Sequence, residues 1–157
     1  ELIGDIRVYI TMLEAATTSA EPELTRDLAF IIRQIVPPSI ATVVNISAAA
    51  LQMFTLRETE DLLYVAREAL SNAMRHGAPS KIAVDLRQSN DATVLTIQDN
   101  GVGFDQATVR KGLGSVTMRT RADRLGAELT VIGIPGMGTT VRVSIPMTLG
   151  GEEEDYD

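Results

Sequence analysis

The spacing of apolar residues changes several times along this chain, and each change marks an element. Leu2, Ile6, Tyr9 and Leu13 recur at steps of four, three and four. That narrow seam predicts a short helix, either packed on its own domain or ending a longer coiled coil. Thr17-Thr18-Ser19-Ala20 reads as a linker, and Pro22 suits the first turn of a second helix. Leu24, Leu28, Ile31, Ile32 and Ile35 give that helix an inner face, and Pro37-Pro38 ends it. Residues 41–46 read as a strand. Thr55-Leu56-Arg57-Glu58 is a capping box, so a long helix is expected from about residue 56 to residue 76, stopped by Gly77 and Pro79. Its apolar stripe is Leu62, Ala66, Ala69 and Ala73 with Leu63 and Leu70.

Period two then takes over. Ile82, Val84 and Leu86 alternate with polar residues, Ser89-Asn90-Asp91 makes a turn, and residues 93–98 form the return strand of a hairpin. Met118, Ala122 and Leu125 form the inner stripe of another helix, ending at Gly126. Residues 129–132, the turn Pro135-Gly136-Met137-Gly138, and Val141, Val143 and Ile145 give a second strand pair. This order predicts an α/β fold: a two-layer α/β sandwich, its mixed, mostly antiparallel sheet covered by helices on one face.

Two stretches carry candidate chemistry. Glu68, Asn72, Arg75 and His76 lie at i, i+4, i+7 and i+8, on a face of the long helix away from its apolar stripe. An acid, an amide, a cation and an imidazole aligned this way line a site or make a solvated face. The strand at 93–98 delivers Asp99 into Asn100-Gly101-Val102-Gly103-Phe104. Asn-Gly is a hairpin signal, yet no matching strand follows. A second cluster, Gly112-Leu113-Gly114, opens the next helix. Glycine lets backbone approach a ligand closely, and a helix N-terminus offers free N–H groups to phosphate.

Composition narrows the classes. At 157 residues and 45% hydrophobic, the chain is one domain with a sizeable core, perhaps extended by an appendage. The net charge of −7 and an aromatic content of 4% without Trp argue against nucleic acid as a partner. Without Cys there are no disulfides or cysteine-held zinc, and a cytoplasmic location fits. No apolar run reaches about 18 residues, so no membrane contact is expected of this fragment. Beginning at Glu1 without Met is expected of a fragment. Glu152-Glu153-Glu154-Asp155 predicts a disordered acidic tail over 149–157.

In combination the motifs resemble the GHKL ATPases, the group that includes gyrase, certain chaperones and histidine kinases. Glu68-X-X-X-Asn72-Ala73-X-Arg75-His76 resembles their N box. Asp99 to Phe104 resembles the first glycine box, Gly112 to Arg119 the second, and Gly136-Met137-Gly138-Thr139-Thr140 the closing G-X-G-T turn. The resemblance covers about residues 21–147 and implies the Bergerat fold. The short lid, Met118-Arg119-X-Arg121-Ala122 leading into Arg124-Leu125-Gly126-Ala127, and Asp5-Ile6-Arg7-X-Tyr9-Ile10 look most like the catalytic domain of a two-component sensor histidine kinase, of the subfamily feeding helix-turn-helix response regulators. On that resemblance residues 1–20 are the end of a dimerisation helix plus linker, and 21–148 the catalytic domain. Departures are Arg75 for the usual Lys, Ala127 for the second Gly of a Gly-Gly pair, and the absence of a phosphoacceptor, His76 being the single His.

The resemblance implies ATP and Mg²⁺ as cofactors. Asp99 would accept from the adenine amino group, with Gly101 and Gly103 admitting backbone and water to the base and Thr139 hydrogen-bonding nearby. Asn72 would offer its amide oxygen to Mg²⁺, and Glu68 would hold a water or help take a proton. Arg75 and His76 would face phosphates or ribose. Gly112, Leu113 and Gly114 would form the mobile lid base and aim a helix N-terminus at the phosphates. Implied partners are the kinase's own dimerisation domain, which carries the phosphoacceptor, and a response regulator. The full-length protein is expected to be a homodimer, with membrane anchoring left open. Two alternatives are a serine kinase of the anti-sigma-factor type, disfavoured by the segment after Gly114 and by the expected helix carrying Tyr9, and a degenerate interaction module, disfavoured by the intact Asn72, Asp99 and glycines.

Overall fold

Six strands in the order β1-β2-β3-β4-β6-β5 make one mixed sheet. The computed structural model describes residues 6–11, 23–51, 54–89, 91–108 and 113–147. In chain order the elements are β1 (Ile6–Thr11), α1 (Glu23–Ile35), β2 (Ala41–Ser47), the short α2 (Ala48–Leu51), α3 (Leu56–Asn72) continued by a π-helical turn (Ala73–Gly77), β3 (Lys81–Gln88), β4 (Ala92–Asp99), α4 (Leu113–Arg124), β5 (Glu128–Ile134) and β6 (Gly138–Pro146). β1–β2 and β2–β3 pair in parallel, and β3–β4, β4–β6 and β5–β6 antiparallel. The expected sandwich with a mixed, mostly antiparallel sheet is therefore the fold.

Alternation builds its floor. Ile82, Val84 and Leu86 of β3 lie opposite Asp99, Ile97 and Leu95 of β4, and Ile97 and Leu95 lie opposite Val141 and Val143 of β6. All of these point to one face and are buried with Leu28, Ile32, Leu62, Val65, Leu70, Met118 and Ala122 from the helices. Each fully buried Leu, Ile or Val stabilises the fold by about 1.5–3 kcal/mol. The other face of the sheet is polar: Asp85 lies opposite Thr96, Thr96 opposite Arg142, and Arg142 opposite Thr130. One packed and one solvated face is the usual state of an antiparallel sheet.

α3 begins as its sequence predicts. Thr55 Oγ1 accepts the Glu58 N–H at 3.3 Å, and Glu58 Oε2 accepts the Thr55 N–H at 2.8 Å. This reciprocal cap satisfies two N–H groups that the first turn leaves unpaired. α1 ends at Ile35, and Val36 donates the last bond, to the Ile32 carbonyl, before Pro37 and Pro38 remove further donors.

The first stretch requires a correction. Residues 6–11 are a strand, β1, paired in parallel with β2 from Ile6 opposite Thr42 to Thr11 opposite Ser47. They do not form the dimerisation helix expected over residues 1–20. The segment Ile-Arg-Val-Tyr-Ile-Thr is rich in β-branched residues, and its Ile, Val and Ile recur at every second position. That period-two pattern wins over the four-three-four seam. Leu2, Leu13, the linker at 17–20 and the acidic tail lie outside the described residues.

Candidate functional site

α3 ends in the widened turn Ala73–Gly77, after which Ala78 adopts left-handed geometry with φ 44°. Near this end three expected site residues meet. Arg75 Nη2 donates to Asn72 Oδ1 at 2.7 Å and to Glu68 Oε1 at 3.1 Å. The Glu68 side chain is 19% exposed and that of Arg75 57%, so the acid is held in the protein and the cation lies largely in water. His76 is exposed and takes no part in these bonds.

The second group forms at the end of β4. Asp99 is 6% exposed and sits on the core face, between Ile82 of β3 and Thr139 of β6. Its Oδ1 accepts the Gly101 N–H at 2.8 Å. A carboxylate offers about four acceptor positions, and this bond uses one. The residues around it are small for a physical reason. A Cβ on Gly77 would stand 3.3 Å from Asp99 Oδ1, and one on Gly101 would overlap the Gly77 carbonyl oxygen. Gly138, at φ 105°, passes so close to Asp99 that a Cβ would overlap the Asp99 carbonyl oxygen. The close approach that Gly101 permits is thus between protein segments, and it leaves the buried Asp99 carboxylate bordered by Gly77, Gly101 and the Pro79 ring.

Backbone joins the two groups. The Val102 N–H donates to the Gly77 carbonyl oxygen at 2.8 Å, and the Gly136 N–H to the Val102 carbonyl oxygen at 2.8 Å. The π-turn, the glycine turn after β4 and the β5–β6 turn are thereby stitched together. Of the lid residues, Leu113 and Gly114 open α4, while Gly112 lies outside the described residues. Among the described residues no cluster of three or more His, Cys, Asp or Glu exists to hold a metal. A magnesium ion at Asn72 would therefore complete its shell with phosphate and water oxygens, as this ion commonly does. The pair Glu68–Asn72 fits a cation, because a guanidinium nitrogen already stands between its oxygens.

Three supports escaped sequence reasoning. Asn100 Oδ1 accepts the Ser80 and Lys81 N–H groups, each at 2.9 Å, and its Nδ2 donates to Ser80 Oγ at 2.9 Å, fixing the residue next to Asp99 onto the start of β3. Its Asn-Gly signature read only as a turn. Gln106 lies along the outer edge of β5: its Nε2 donates to the Val131 carbonyl oxygen and its Oε1 accepts the Gly133 N–H, both at 2.9 Å, while Phe104 lies against Gly133. These contacts tie the chain leaving the glycine turn to the sheet and cover part of an edge strand. Finally, the buried Asp61 of α3 accepts from Arg121 Nη1 at 2.8 Å and lies 3.4 Å from Arg124 Nε, and the Arg121 guanidinium stands 4.5 Å from the Tyr64 ring centre. This locks α4 against α3. An acid beside an apolar stripe, at Asp61-Leu62, was its one local signal.

A shallow depression on the polar sheet face, lined by Thr96, Thr130, Thr140, Arg142 and neighbours, shares no residue with these groups. It is the solvated side of the sheet. Among the described residues no helix is long and apolar enough to cross a membrane.

Comparison with known proteins places the fold in a family. A family model described as "Histidine kinase-, DNA gyrase B-, and HSP90-like ATPase" matches residues 58–149. The sensor protein VraS of Staphylococcus aureus (strain COL) is 36% identical over 100 residues, covering 62% of this chain and 28% of its own length. The VraS of Staphylococcus epidermidis is 37% identical over 90 residues, covering 56% and 26%. This chain thus spans under a third of the curated relatives it matches. Among solved structures, the histidine kinase domain of the blue-light activated histidine kinase EL346 from Erythrobacter litoralis superposes with a TM-score of 0.63 at 23% identity, covering 78% of this chain and 62% of that one. The mycobacterial sensor histidine kinase MprB gives 0.57 at 18%, covering 78% and 91%. At these identities the structures speak for the fold.

Proposed function

The chain belongs to the histidine kinase-, DNA gyrase B- and HSP90-like ATPase family, and from that premise we propose that it is the ATP-binding catalytic domain of a sensor histidine kinase. Its reaction is transfer of the ATP γ-phosphate to a histidine on the kinase's own dimerisation domain, for relay to a response regulator. The names of the relatives, sensor proteins and histidine kinases, support this over a serine kinase of the anti-sigma-factor type. The carrying observation is the buried Asp99 carboxylate beside Gly77 and Gly101, joined through Gly77 to the Glu68–Asn72 pair.

Asp99 accepts a hydrogen bond from the adenine amino group and rejects a base that presents a carbonyl there, because a buried acceptor facing an acceptor stays unpaired. Thr139, its neighbour on β6, adds polar contact near the base. Gly101 and Gly103 keep the floor thin, and Asn100 holds Asp99 in register. Asn72 presents its amide oxygen to Mg²⁺. Glu68 would hold a water near that ion or help draw the proton from the incoming imidazole. Arg75 and His76 serve phosphates and ribose, and the start of α4, at Leu113-Gly114, directs N–H groups to phosphate oxygens. Bound ATP supplies the phosphoryl group and bound Mg²⁺ neutralises its oxygens. The protein's share is positioning and charge compensation, with no covalent nucleophile in this domain. The same reading makes the full-length kinase a homodimer whose catalytic part works in the cytoplasm.

The test is transfer in trans. Incubated with labelled ATP, Mg²⁺ and the dimerisation domain of its own kinase, the chain should place acid-labile label on that domain. ATP binding without any transfer would overturn the kinase assignment.

A further inference from the structure

Resting on that assignment of Asn72 and Glu68, we infer that Arg75 is a built-in counter-ion which must leave the pair before the divalent cation can enter. One nitrogen, Nη2, sits between Asn72 Oδ1 and Glu68 Oε1, at 2.7 and 3.1 Å. These oxygens come from successive turns of α3, and both are the type a hard cation selects. Mg²⁺ demands oxygen at about 2.0–2.1 Å. A guanidinium bonded to the same amide oxygen would bring a second positive charge against it, so the two occupants exclude each other.

The partners differ in freedom, and that sets which one moves. Glu68 is mostly covered and Asn72 is part of α3, whereas Arg75 is more than half exposed at the widened turn. An exposed arginine gives up such a pair at little cost. Its planar fork also matches phosphate oxygens better than it matches a single amide. Nucleotide phosphates therefore draw Arg75 off while their Mg²⁺ takes its place, and the two events become one exchange. Two consequences follow. The cation-free pair is kept oriented and neutralised in the absence of ligand, and part of the binding free energy of Mg²⁺ is spent on expelling the guanidinium.

Calorimetric titration of a non-hydrolysable ATP analogue, with Mg²⁺ and with chelator, tests this on the chain as it stands. The readout is the ratio of the two dissociation constants. Arg75→Met should leave chelator-state binding little changed, since without the cation the guanidinium stays on the pair, yet raise the magnesium ratio by about two- to fivefold, the size of an exposed ion pair. Arg75→Lys should fall between Arg75→Met and the parent. Asn72→Ala should collapse the ratio toward one in either background. If Arg75→Met leaves the ratio unchanged or lowers it while Asn72→Ala still collapses it, the exchange is wrong and the metal assignment stands. If Asn72→Ala keeps the full ratio, the metal is held elsewhere and both fall.

Discussion

The Val102 N–H donates to the Gly77 carbonyl oxygen at 2.8 Å, joining the end of α3's π-turn to the glycine turn after β4. Through this one bond the helix that carries Glu68 and Asn72 and the strand that carries Asp99 share a frame. The bond forms because Gly101 has no Cβ to strike that same carbonyl.

Gly101→Ala should therefore break the junction. We expect a stability loss of about 1–3 kcal/mol from overpacking, with nucleotide binding lost as well. Gly126→Ala is the contrast: its φ is 62° but a Cβ would meet nothing within 4 Å. It should cost about 1–2 kcal/mol from left-handed backbone alone and leave nucleotide affinity unchanged. Urea denaturation and a nucleotide titration of both variants check the pair. Equal effects on binding would contradict the junction.

Asp61 should dominate the link between α3 and α4. Asp61→Asn removes the charge from both arginine contacts and is expected to cost about 1.5–3 kcal/mol. Arg124→Ala, at the longer contact and with a side chain 47% exposed, should cost less than about 1 kcal/mol. Chemical denaturation of each variant gives the order. A cost for Arg124→Ala matching that of Asp61→Asn would show that the carboxylate is not the centre of the cluster.

Gln106→Ala should loosen the outer edge of β5. Its amide stands where a further strand would pair, bonded to Val131 and Gly133. Losing both bonds should cost about 1–3 kcal/mol, since Gly133 is buried and its N–H is left without its partner. Hydrogen exchange at the Gly133 amide is the direct measure and should quicken, while exchange at Val141, inside the sheet, stays slow.

The chain alone should not label itself with phosphate. Its single His is His76, exposed in the π-turn of the ATP-binding domain. Incubation with labelled ATP should give no acid-labile label on this chain. Such label would assign His76 or an unforeseen group as an acceptor.

What could be read from sequence was local. The alternation of Ile82, Val84 and Leu86 and the reciprocal cap at Thr55 and Glu58 each depend on residues a few positions apart, and both form as expected. The i, i+4, i+7 spacing also brought Glu68, Asn72 and Arg75 together. β1 was misread because a four-three-four seam and a period-two run overlap in the same residues, and pairing with β2 selects the latter. The bond from Arg121 to Asp61 spans 60 residues, and the one local signal, an acid beside the apolar stripe at Asp61-Leu62, does not name its partner. Asn100 looked like a turn residue because its partners, Ser80 and Lys81, become neighbours only when β3 and β4 pair.

Adenine recognition by Asp99 is the central claim, and a calorimetric comparison of ATP with GTP, in Mg²⁺, on the parent chain and on Asp99→Asn tests it most directly. Asn can still accept the Gly101 N–H through its amide oxygen, so the fold should survive. It cannot offer a charge-assisted acceptor to the adenine amino group, a loss of about 1.5–3 kcal/mol, or roughly 10- to 150-fold in ATP affinity. The parent should bind ATP at least about tenfold more tightly than GTP, one good hydrogen-bond contact's worth. Asp99→Asn binding ATP as tightly as the parent, or a parent that holds both nucleotides alike, would contradict the account.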